Sequence, residues 1–230
     1  MKNLGLCLLV GVAAMTGWEG CQTATTANKP AETHVALFNG QNLAGWKPVL
    51  ADPSVKPETV WSVKDGILTC TGTPVGFIYT GKDYVNLRMV VEYRWPPGSK
   101  PGNSGIFSRI NDASKALPRC IETQLQHGNA GDVLGLQGMN VATNQPRSFV
   151  VLKHKLAGDI YGVHKLVDAE NPPGDWNRVE IQAQGPNYTV WVNGIKVNEV
   201  TGVETVAGPV GLQSEGGAIE FRRAALTPLP

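Results

Sequence analysis

Short segments of alternating polar and apolar residues, each bounded by turn residues, fill the chain from His34 to its end. The sequence contains 27 glycines and 16 prolines, and no amphipathic helical pattern in it is longer than about two turns. Asp65-Gly66 and Asn193-Gly194 each separate two such segments, and these dipeptides tolerate the positive φ angles of tight hairpin turns. The pattern predicts a single all-β domain, a sandwich or a barrel, over residues 34–230.

The most regular part of this pattern runs from Trp176 to Val200. Gly185-Pro186-Asn187 divides its first segment from the second, and Asn193-Gly194 divides the second from the third. This part of the chain is therefore predicted to be a three-stranded meander. Farther upstream, Leu87–Arg94 has apolar residues at every second position and mostly polar residues between them. That alternation is expected of a strand with one face against a second sheet.

Two further predicted strands, Gly105 to Ile110 and Arg119 to Gln126, carry polar residues that are unusual for a purely structural sheet. Strand alternation places Arg109 on the same face as Phe107. One face of the second strand carries a carboxylate and two amides, at Glu122, Gln124 and Gln126. We interpret these strands as the floor of a ligand site. The alternative is that Glu122 and Arg109 form a cross-strand ion pair that only orders the sheet.

Between residues 127 and 175 the periodicity is lost, and a connection of this length in a compact domain is usually functional or contains small strands of its own. We interpret it as loops over one end of the sheet that carry Tyr161 and His164 toward the same site. His127 directly follows the polar strand, and its imidazole suits proton transfer or, when neutral, a metal ion. His154, in a Lys-His-Lys run, is interpreted as part of a solvated face.

The N-terminus has the features of an export signal. Residues 1–20 contain a lysine followed by about a dozen mostly apolar residues, too few to span a bilayer. Gly20 and Cys21 fit the end of a bacterial lipoprotein cleavage site, whereas Trp18 and Glu19 do not, so lipidation of Cys21 and ordinary cleavage both remain open. Residues 21–33 are predicted to be a flexible tether. We therefore expect export to the periplasm or the cell surface.

Charge and cysteine content exclude several other classes of protein. The formal net charge is +1, so nothing global favours nucleic acid as a partner. The predicted domain contains only Cys70 and Cys120; export permits a disulfide between them, but both lie in apolar strand contexts, and two buried free thiols are the simpler interpretation. Neither a CxxC nor an HExxH spacing is present, so a thiolate zinc site and a helical zinc protease are not supported.

Seven segments, taken in order, carry a resemblance to a known family: FNGQNLAGW (Phe38 to Trp46), WSVKDGILTCTG (Trp61 to Gly72), YVNLRMVVEYRWPPGSKPGNSGIFSR (Tyr84 to Arg109), IETQLQ (Ile121 to Gln126), PPGDWNRVEIQAQG (Pro172 to Gly185), YTVWVNGIKV (Tyr188 to Val197) and GPVGLQSEGGAIEFRRAALTPL (Gly208 to Leu229). Together they resemble the bacterial 3-keto-disaccharide hydrolase family. The resemblance implies a concanavalin A-like lectin/glucanase jelly-roll sandwich of two antiparallel sheets. It also implies cleavage of small oxidised (3-keto) glycosides by 1,2-elimination, followed by hydration of the glycal. A non-catalytic carbohydrate-binding module of the same fold is the alternative.

The resemblance also suggests a set of site residues. It implies Glu122 as the base or a metal-binding carboxylate and Arg109 as the group that polarises the keto oxygen. Other positions that match are expected to bind substrate, with Asn103 and Gln124 positioning hydroxyls; they are Asn103, Ser104, Gln124, Trp176 and Gln213. Many members carry Asp-His after Leu-Gln, where this chain has Ser214-Glu215, so Glu215, or His127 or His164 from the loop, would replace that histidine. A divalent cation is compatible with the family, although nothing in the spacing requires one.

Overall fold

Two antiparallel sheets of eight strands each make up nearly all of the regular structure in the described part of the protein. The computed structural model describes residues 34–142, 144 and 146–230. The predicted signal segment, the tether and Cys21 lie outside these residues. The prediction of an all-β fold with two antiparallel sheets is confirmed, and the one helix in the described part is a single turn, α1 (Pro57–Val60).

The strands follow one another along the chain with mostly short connections. In chain order they are β1 (Val35–Ala36), β2 (Trp46–Leu50), β3 (Trp61–Lys64), β4 (Ile67–Cys70), β5 (Gly76–Thr80), β6 (Leu87–Arg94), β7 (Gly105–Asp112), β8 (Arg119–Gln124), β9 (Val133–Gly135), β10 (Ser148–His154), β11 (Gly158–Val163), β12 (Asn177–Gln184), β13 (Asn187–Val192), β14 (Ile195–Val200), β15 (Gly211–Ser214) and β16 (Ile219–Pro228).

The chain crosses repeatedly between the two sheets. The first, which we call the back sheet, has the order β14-β13-β12-β6-β16-β4-β3, with β1 paired to β16. The second, the front sheet, has the order β10-β11-β9-β8-β7-β15-β5-β2. Because β15 and β16 follow each other along the chain but lie in different sheets, Glu215 stands where the chain leaves the front sheet.

The main hydrophobic core lies between the sheets, and β6 shows how the sequence produces it. This strand buries one apolar row completely, at Leu87, Met89, Val91 and Tyr93. Its other face carries charged groups, and Arg94 bonds Glu220 there at 2.6 Å. Burial of each large apolar side chain contributes about 1.5–3 kcal/mol. The predicted apolar and polar faces of this strand are confirmed.

The predicted meander and hairpin turns are also confirmed. Strands β12, β13 and β14 pair in sequence order, and their second turn has positive φ at both Asn193 (50°) and Gly194 (81°). The turn between β3 and β4 has the same feature at Asp65 (52°) and Gly66 (77°). Two successive positive φ values match the right-handed twist of the flanking strands, so these dipeptides define the strand register.

The segment from 127 to 175 was predicted wrongly as loops alone. It contains β9, β10 and β11, which extend the front sheet beyond β8. Strand β10 is the edge of that sheet and is largely exposed, so its residues show no alternation between a buried and a wet face. A sequence pattern based on that alternation cannot detect such a strand.

Cys70 and Cys120 are both buried and free, so the interpretation as unpaired thiols is confirmed. They lie in separate apolar clusters, Cys70 between the sheets and Cys120 on the outer face of the front sheet. Over the described ranges, none of the helices has the length and apolar character needed to cross a membrane.

Candidate functional site

A cavity of about 140 Å³ lies on the outer face of the front sheet, the face turned away from the back sheet. Its polar walls come from the ends of four strands or the residues beside them, and its apolar walls come from the outer cluster on the same face. The polar lining residues are Asn103, Glu122, Gln124, His154, Gln213 and Glu215. The apolar ones are Leu117, Leu134, Leu136, Ala157 and Ile160.

Glu122 lies in this cavity because of simple alternation along β8. Its neighbour Ile121 packs in the core between the sheets, so Glu122 points outward. Gly105 on β7 faces the same side, and a Cβ atom there would lie 2.2 Å from Glu122 Oε1. Because Gly105 has no Cβ atom, there is room for the Glu122 carboxyl group close to the β7 backbone.

The environment of Glu122 favours its protonated form. Its Oε1 atom is buried and has no hydrogen-bond partner among the residues that the structure describes. Burial raises the pKa of Glu122 well above its usual value, and the negative charge of Glu215 raises it further. The protonated form of a carboxyl group in such surroundings is favoured, and it can donate its proton to a reacting oxygen.

Glu215, the second carboxyl group of the cavity, is partly buried too, but unlike the Oε1 atom of Glu122 it accepts hydrogen bonds. The side-chain amides of Asn103 and Gln213 both donate to its Oε2 atom, at 2.9 and 2.8 Å. Burial raises the pKa of Glu215, whereas the hydrogen bond from Gln213 opposes that rise. Two hydrogen bonds to the ionised form make Glu215 the carboxyl group of the pair that carries the negative charge.

The same two amides leave acceptors unused in the cavity wall. Because the oxygen of an ionised carboxylate can only accept, Asn103 and Gln213 must point their NH₂ groups at Glu215. Their carbonyl oxygens, Asn103 Oδ1 and Gln213 Oε1, are buried and have no partner in the described part of the chain. Buried unpaired acceptors are uncommon, and here they are suited to the hydroxyl groups of a ligand.

His154 is the cavity residue that the sequence interpretation missed. It ends β10, where the register shifts between Val151 and His154 and Lys153 has a φ of 56°. The Ala157 N–H donates to His154 Nδ1 at 3.0 Å, so the neutral ring carries its proton on Nε2. The Lys-His-Lys run is solvated, as predicted, but the hairpin also brings its histidine to the cavity. Only knowledge of the hairpin could have revealed this.

Gln124 and Ser104 support the site in different ways. Gln124 lines the cavity, and its Oε1 atom accepts hydrogen bonds from the N–H groups of Leu125 and Gln126, both at 3.0 Å. Ser104 is fully buried, and its hydroxyl donates to the Gln213 backbone carbonyl at 2.8 Å. Ser104 therefore holds β15 in place beside β7 and does not line the cavity.

Arg109 does not reach the cavity, and the prediction that it shares a face with Phe107 is wrong. A bulge shifts the register of β7 after Ser108, and Arg109 has a φ of 54°, so the alternation is reversed there. The guanidinium donates to three backbone carbonyls, those of Val85, Gly185 and Glu204, and the side chain is completely buried. Arg109 therefore connects loops by hydrogen bonds, and it is not positioned to polarise a keto oxygen in the cavity.

The remaining residues expected at the site lie elsewhere. His127 is 43% exposed, with Nδ1 3.8 Å from Glu170 Oε1. Tyr161 packs against the core between the sheets. Trp176 lies over the outer face of the back sheet, where the guanidinium groups of Arg94 and Arg222 are 4.5 and 4.6 Å from its ring. His164 bonds Asp132 at 2.8 Å. None of these four lines the cavity.

The residues present do not fit the divalent ion that the resemblance left open. Across the described ranges, no group of three or more His, Cys, Asp or Glu side chains is arranged to hold a metal ion. Glu122 and Glu215 share the cavity, but Asn103 and Gln213 already direct hydrogen bonds at Glu215. We derive no chemical step through a metal.

Solved structures with this architecture include three carbohydrate-related proteins. A proposed glycosyl hydrolase of Parabacteroides distasonis ATCC 8503 aligns with a TM-score of 0.62 and 21% identity over 87% of this chain and 95% of that chain. A carbohydrate binding module from Bacillus subtilis aligns at 0.56 and 10% over 80% and 95%. The Bacillus licheniformis beta-glucanase aligns at 0.54 and 11% over 86% and 98%. At such identities the likenesses show the fold alone, and they confirm the predicted jelly roll.

The sequence comparisons establish the family. No curated protein matches the chain. A family model described as the 3-keto-alpha-glucoside-1,2-lyase-like domain matches residues 33–227, almost all of the predicted domain. This match confirms the resemblance carried by the seven segments, and it indicates an enzyme with a carbohydrate ligand. The chain belongs to the 3-keto-alpha-glucoside-1,2-lyase-like family of carbohydrate-active proteins.

Proposed function

We propose that the protein cleaves 3-keto-glycosides by elimination across C1 and C2 and then hydrates the glycal product. The observation that carries this proposal is the pair of carboxyl groups in one cavity: Glu122 Oε1 is buried without a partner, whereas Glu215 Oε2 accepts two hydrogen bonds. Family membership supports the substrate class. A base and an acid in the same small site are the groups that such an elimination requires.

The chemistry follows from the ketone. A carbonyl at C3 acidifies the proton on C2, and removal of that proton gives an enolate that the keto oxygen stabilises. The bond from C1 to the leaving oxygen then breaks without an oxocarbenium ion. Ordinary glycosidases use two carboxylates on opposite sides of the scissile bond to stabilise such an ion or capture it. Elimination needs a base, a proton donor for the leaving group and a hydrogen-bond donor at the enolate oxygen.

We assign the base to Glu215 and the acid to Glu122, which reverses the role expected for Glu122 from the sequence. Glu215 takes the C2 proton, the electron pair forms the C1–C2 double bond, and the C1–O bond breaks. Glu122 gives its proton to the departing oxygen, which leaves as an alcohol. After this step Glu215 is protonated and Glu122 is ionised, so the two groups have exchanged charge.

Hydration restores the starting state. Ionised Glu122 takes a proton from water, and the resulting hydroxide adds to C1 of the glycal. Glu215 returns its proton to C2, which regenerates both groups for another cycle. The net reaction consumes one water and releases the alcohol and the 3-keto sugar. The outer cluster of apolar residues limits the access of other waters to the cavity.

The other polar groups of the cavity bind and orient the sugar in this scheme. Asn103 Oδ1 and Gln213 Oε1, which lack partners, accept hydrogen bonds from sugar hydroxyls. His154 presents Nε2–H toward the ligand because Nδ1 is occupied by the Ala157 N–H. Gln124 supplies a further amide at the floor of the cavity. These contacts fix C2 against Glu215 at no further cost in ordering the protein.

Turnover of a 3-keto-glucoside, compared with its unoxidised parent, tests the proposal. The purified wild type should release aglycone only from the keto substrate. Glu122→Gln and Glu215→Gln should each reduce kcat by about 10²–10⁴-fold, the usual contribution of a general acid or base. Glu58→Gln, an exposed residue of α1, is the matched control and should be fully active. Saturable binding without turnover would instead identify a carbohydrate-binding module. If the protein shows no turnover and no binding, both functions are overturned.

We also propose that the protein acts outside the cytoplasm. The support is the lysine and apolar run of residues 1–20 followed by Cys21. In cells that make the full chain, fractionation should place the protein in the periplasmic or surface fractions. A Cys21→Ser variant distinguishes the two forms of export, since only a lipidated chain would leave the membrane fraction when the cysteine is lost. Retention in the cytoplasm would contradict the proposal.

A further inference from the structure

A second and larger cavity, of about 370 Å³, adjoins the cavity of the carboxyl pair on the same outer face of the front sheet. Its walls come from β2, the residue before β5, the loop after β7 and the tip of the β10–β11 hairpin. The lining residues are Val49, Leu50, Ala51, Val75, Ser114, Lys115, Ala116, Leu117, Lys155 and Leu156. The proposed chemistry assigns it no part.

The two cavities share their dividing wall. Leu117 lines both. At the hairpin tip, His154 and Ala157 line the catalytic cavity, whereas the two residues between them, Lys155 and Leu156, line the second. A group that leaves the sugar beside Glu122 would therefore meet the second cavity directly.

Gln137 holds this wall in place. Its side-chain amide donates to the backbone carbonyls of Leu117 and Leu156, at 3.2 and 2.7 Å. Its oxygen accepts a hydrogen bond from Lys115 Nζ at 3.0 Å. One side chain thus connects the loop after β7 with the hairpin tip, so the second cavity has a fixed shape and is not a gap between independent loops.

The lining combines apolar surface with positive charge. Seven of the ten lining residues are apolar and two are lysines, and none is acidic. The ion pairs found across the described ranges include neither Lys115 nor Lys155. Lys115 has an electrostatic effect on Asp112, which lies outside the lining; the pKa of Asp112 is lowered mainly by its hydrogen bonds with Ser114. A neutral sugar would make little use of two such charges.

We propose that the second cavity is the leaving-group subsite and that it selects an aglycone with an apolar body and a carboxylate. This inference rests on the proposed function, since it assumes that the sugar occupies the cavity of Glu122 and Glu215. The apolar body would contact the leucines and valines, and the carboxylate would lie near the two lysines. Because the lysines are exposed, the effect on affinity should be moderate and should weaken with salt.

Matched aglycones test the selectivity. The 3-keto-glucosides of 4-hydroxybenzoate and 4-hydroxybenzamide have the same shape and differ in charge, and the benzoate is the poorer leaving group. We expect the wild type to favour the benzoate in kcat/KM by about three- to tenfold at low salt. In the double variant Lys115→Gln/Lys155→Gln this ratio should fall to one or below, because only the poorer leaving-group ability of the benzoate then remains. Lys64→Gln, at an exposed position on the back sheet, is the control and should keep the wild-type ratio.

The outcomes separate the two proposals. Turnover of both compounds at equal kcat/KM, or a preference that survives in the double variant, would overturn the subsite but leave the proposed function standing. If neither compound is turned over, the proposed function fails. Calorimetric titration with the two unoxidised glucosides then decides the subsite, which is supported only by tighter binding of the benzoate that the double variant loses. Equal binding, or none, would overturn it.

Discussion

At the scale of single residues, the position of the Glu122 carboxyl group depends on a neighbour that has no side chain. A Cβ atom at Gly105 would lie 2.2 Å from Glu122 Oε1, so Gly105→Ala must displace the carboxyl group. Misplacement of a catalytic group by about 1 Å can reduce the rate about a hundredfold. We therefore expect Gly105→Ala to lower kcat by about that factor while the protein remains folded, as judged by circular dichroism and thermal melting.

Gly81→Ala provides the control for that substitution. A Cβ atom at Gly81 would have no neighbour nearer than 3.9 Å, at the end of the Lys47 side chain, so this variant should keep wild-type kcat. A Gly105→Ala protein with full activity would show that the carboxyl group of Glu122 need not occupy its observed position.

The dependence of kcat/KM on pH should report the same two carboxyl groups. Activity should rise as Glu215 ionises and fall as Glu122 loses its proton, so the profile should be bell-shaped. The two apparent pKa values of such a profile belong to the coupled pair of carboxyl groups. Burial raises the pKa of both groups, which moves the whole bell above the usual carboxyl range.

Gln213→Met tests the acidic side of this profile. The Gln213 amide holds the pKa of Glu215 down, so its loss should move the acidic side of the bell to higher pH. Loss of one hydrogen bond that contributes about 1.4 kcal/mol corresponds to about a tenfold fall in kcat/KM on the acidic side of the profile. Movement to lower pH, or of the alkaline side alone, would show that Glu215 is not the base.

At the scale of strands and loops, the bulge in β7 converts a predicted site residue into a structural one. Arg109 donates to the backbone carbonyls of Val85, Gly185 and Glu204. Arg109→Met leaves these carbonyls without the charged donor, which should lower the free energy of unfolding by about 3 kcal/mol or more. For a chain of this size we expect a fall in Tm of about 6–12 °C.

Catalysis distinguishes this role from the one expected from the sequence. Because Arg109 lies outside the cavity, kcat/KM of Arg109→Met, measured well below its Tm, should remain within about twofold of the wild type. A variant that melts like the wild type but has lost turnover would instead place the guanidinium in the reaction. Unfolding is followed by circular dichroism and kcat/KM by release of the aglycone.

The sequence could predict the elements whose burial alternates, and it missed those whose burial does not. Strand β6 and the meander could be recognised because their buried and exposed residues alternate, and the Asn-Gly and Asp-Gly turns defined their ends. Strand β10 is an exposed edge, and the bulge at Arg109 reverses an alternation that the sequence shows no sign of losing. His154 was missed and Arg109 misplaced for these two reasons.

At the scale of the whole molecule, the two sheets have different tasks. The back sheet covers the main core and carries a network of charges on its outer face, in which Glu92 pairs with Arg178 and Arg222. The front sheet holds both cavities and the second apolar cluster. The family motifs were sufficient to predict this sandwich. They could not assign the acid and the base, because that depends on how β7, β8 and β15 place hydrogen bonds around each carboxyl group.

Because Glu122 lies in the cavity, the stability of the whole protein should depend on pH. Its pKa is raised in the folded state from an ordinary value of 4.5, so above that pH the unfolded chain releases a proton that the folded protein retains. Rising pH therefore destabilises the wild type through this group, by about 1.4 kcal/mol for each pH unit until the raised pKa is reached. Glu122→Gln does not have this contribution.

Melting temperatures of Glu122→Gln and the wild type, compared from pH 4 to pH 8, test this expectation. The melting temperature of the variant should rise relative to that of the wild type as pH rises, by about 2–4 °C for each kcal/mol of free energy. The turnover of the variant is lost at the same time. Glu58→Gln should run parallel to the wild type, because Glu58 is exposed. A constant difference between Glu122→Gln and the wild type over this range would mean that Glu122 is already ionised in the folded protein, and the assignment of the acid would then be wrong.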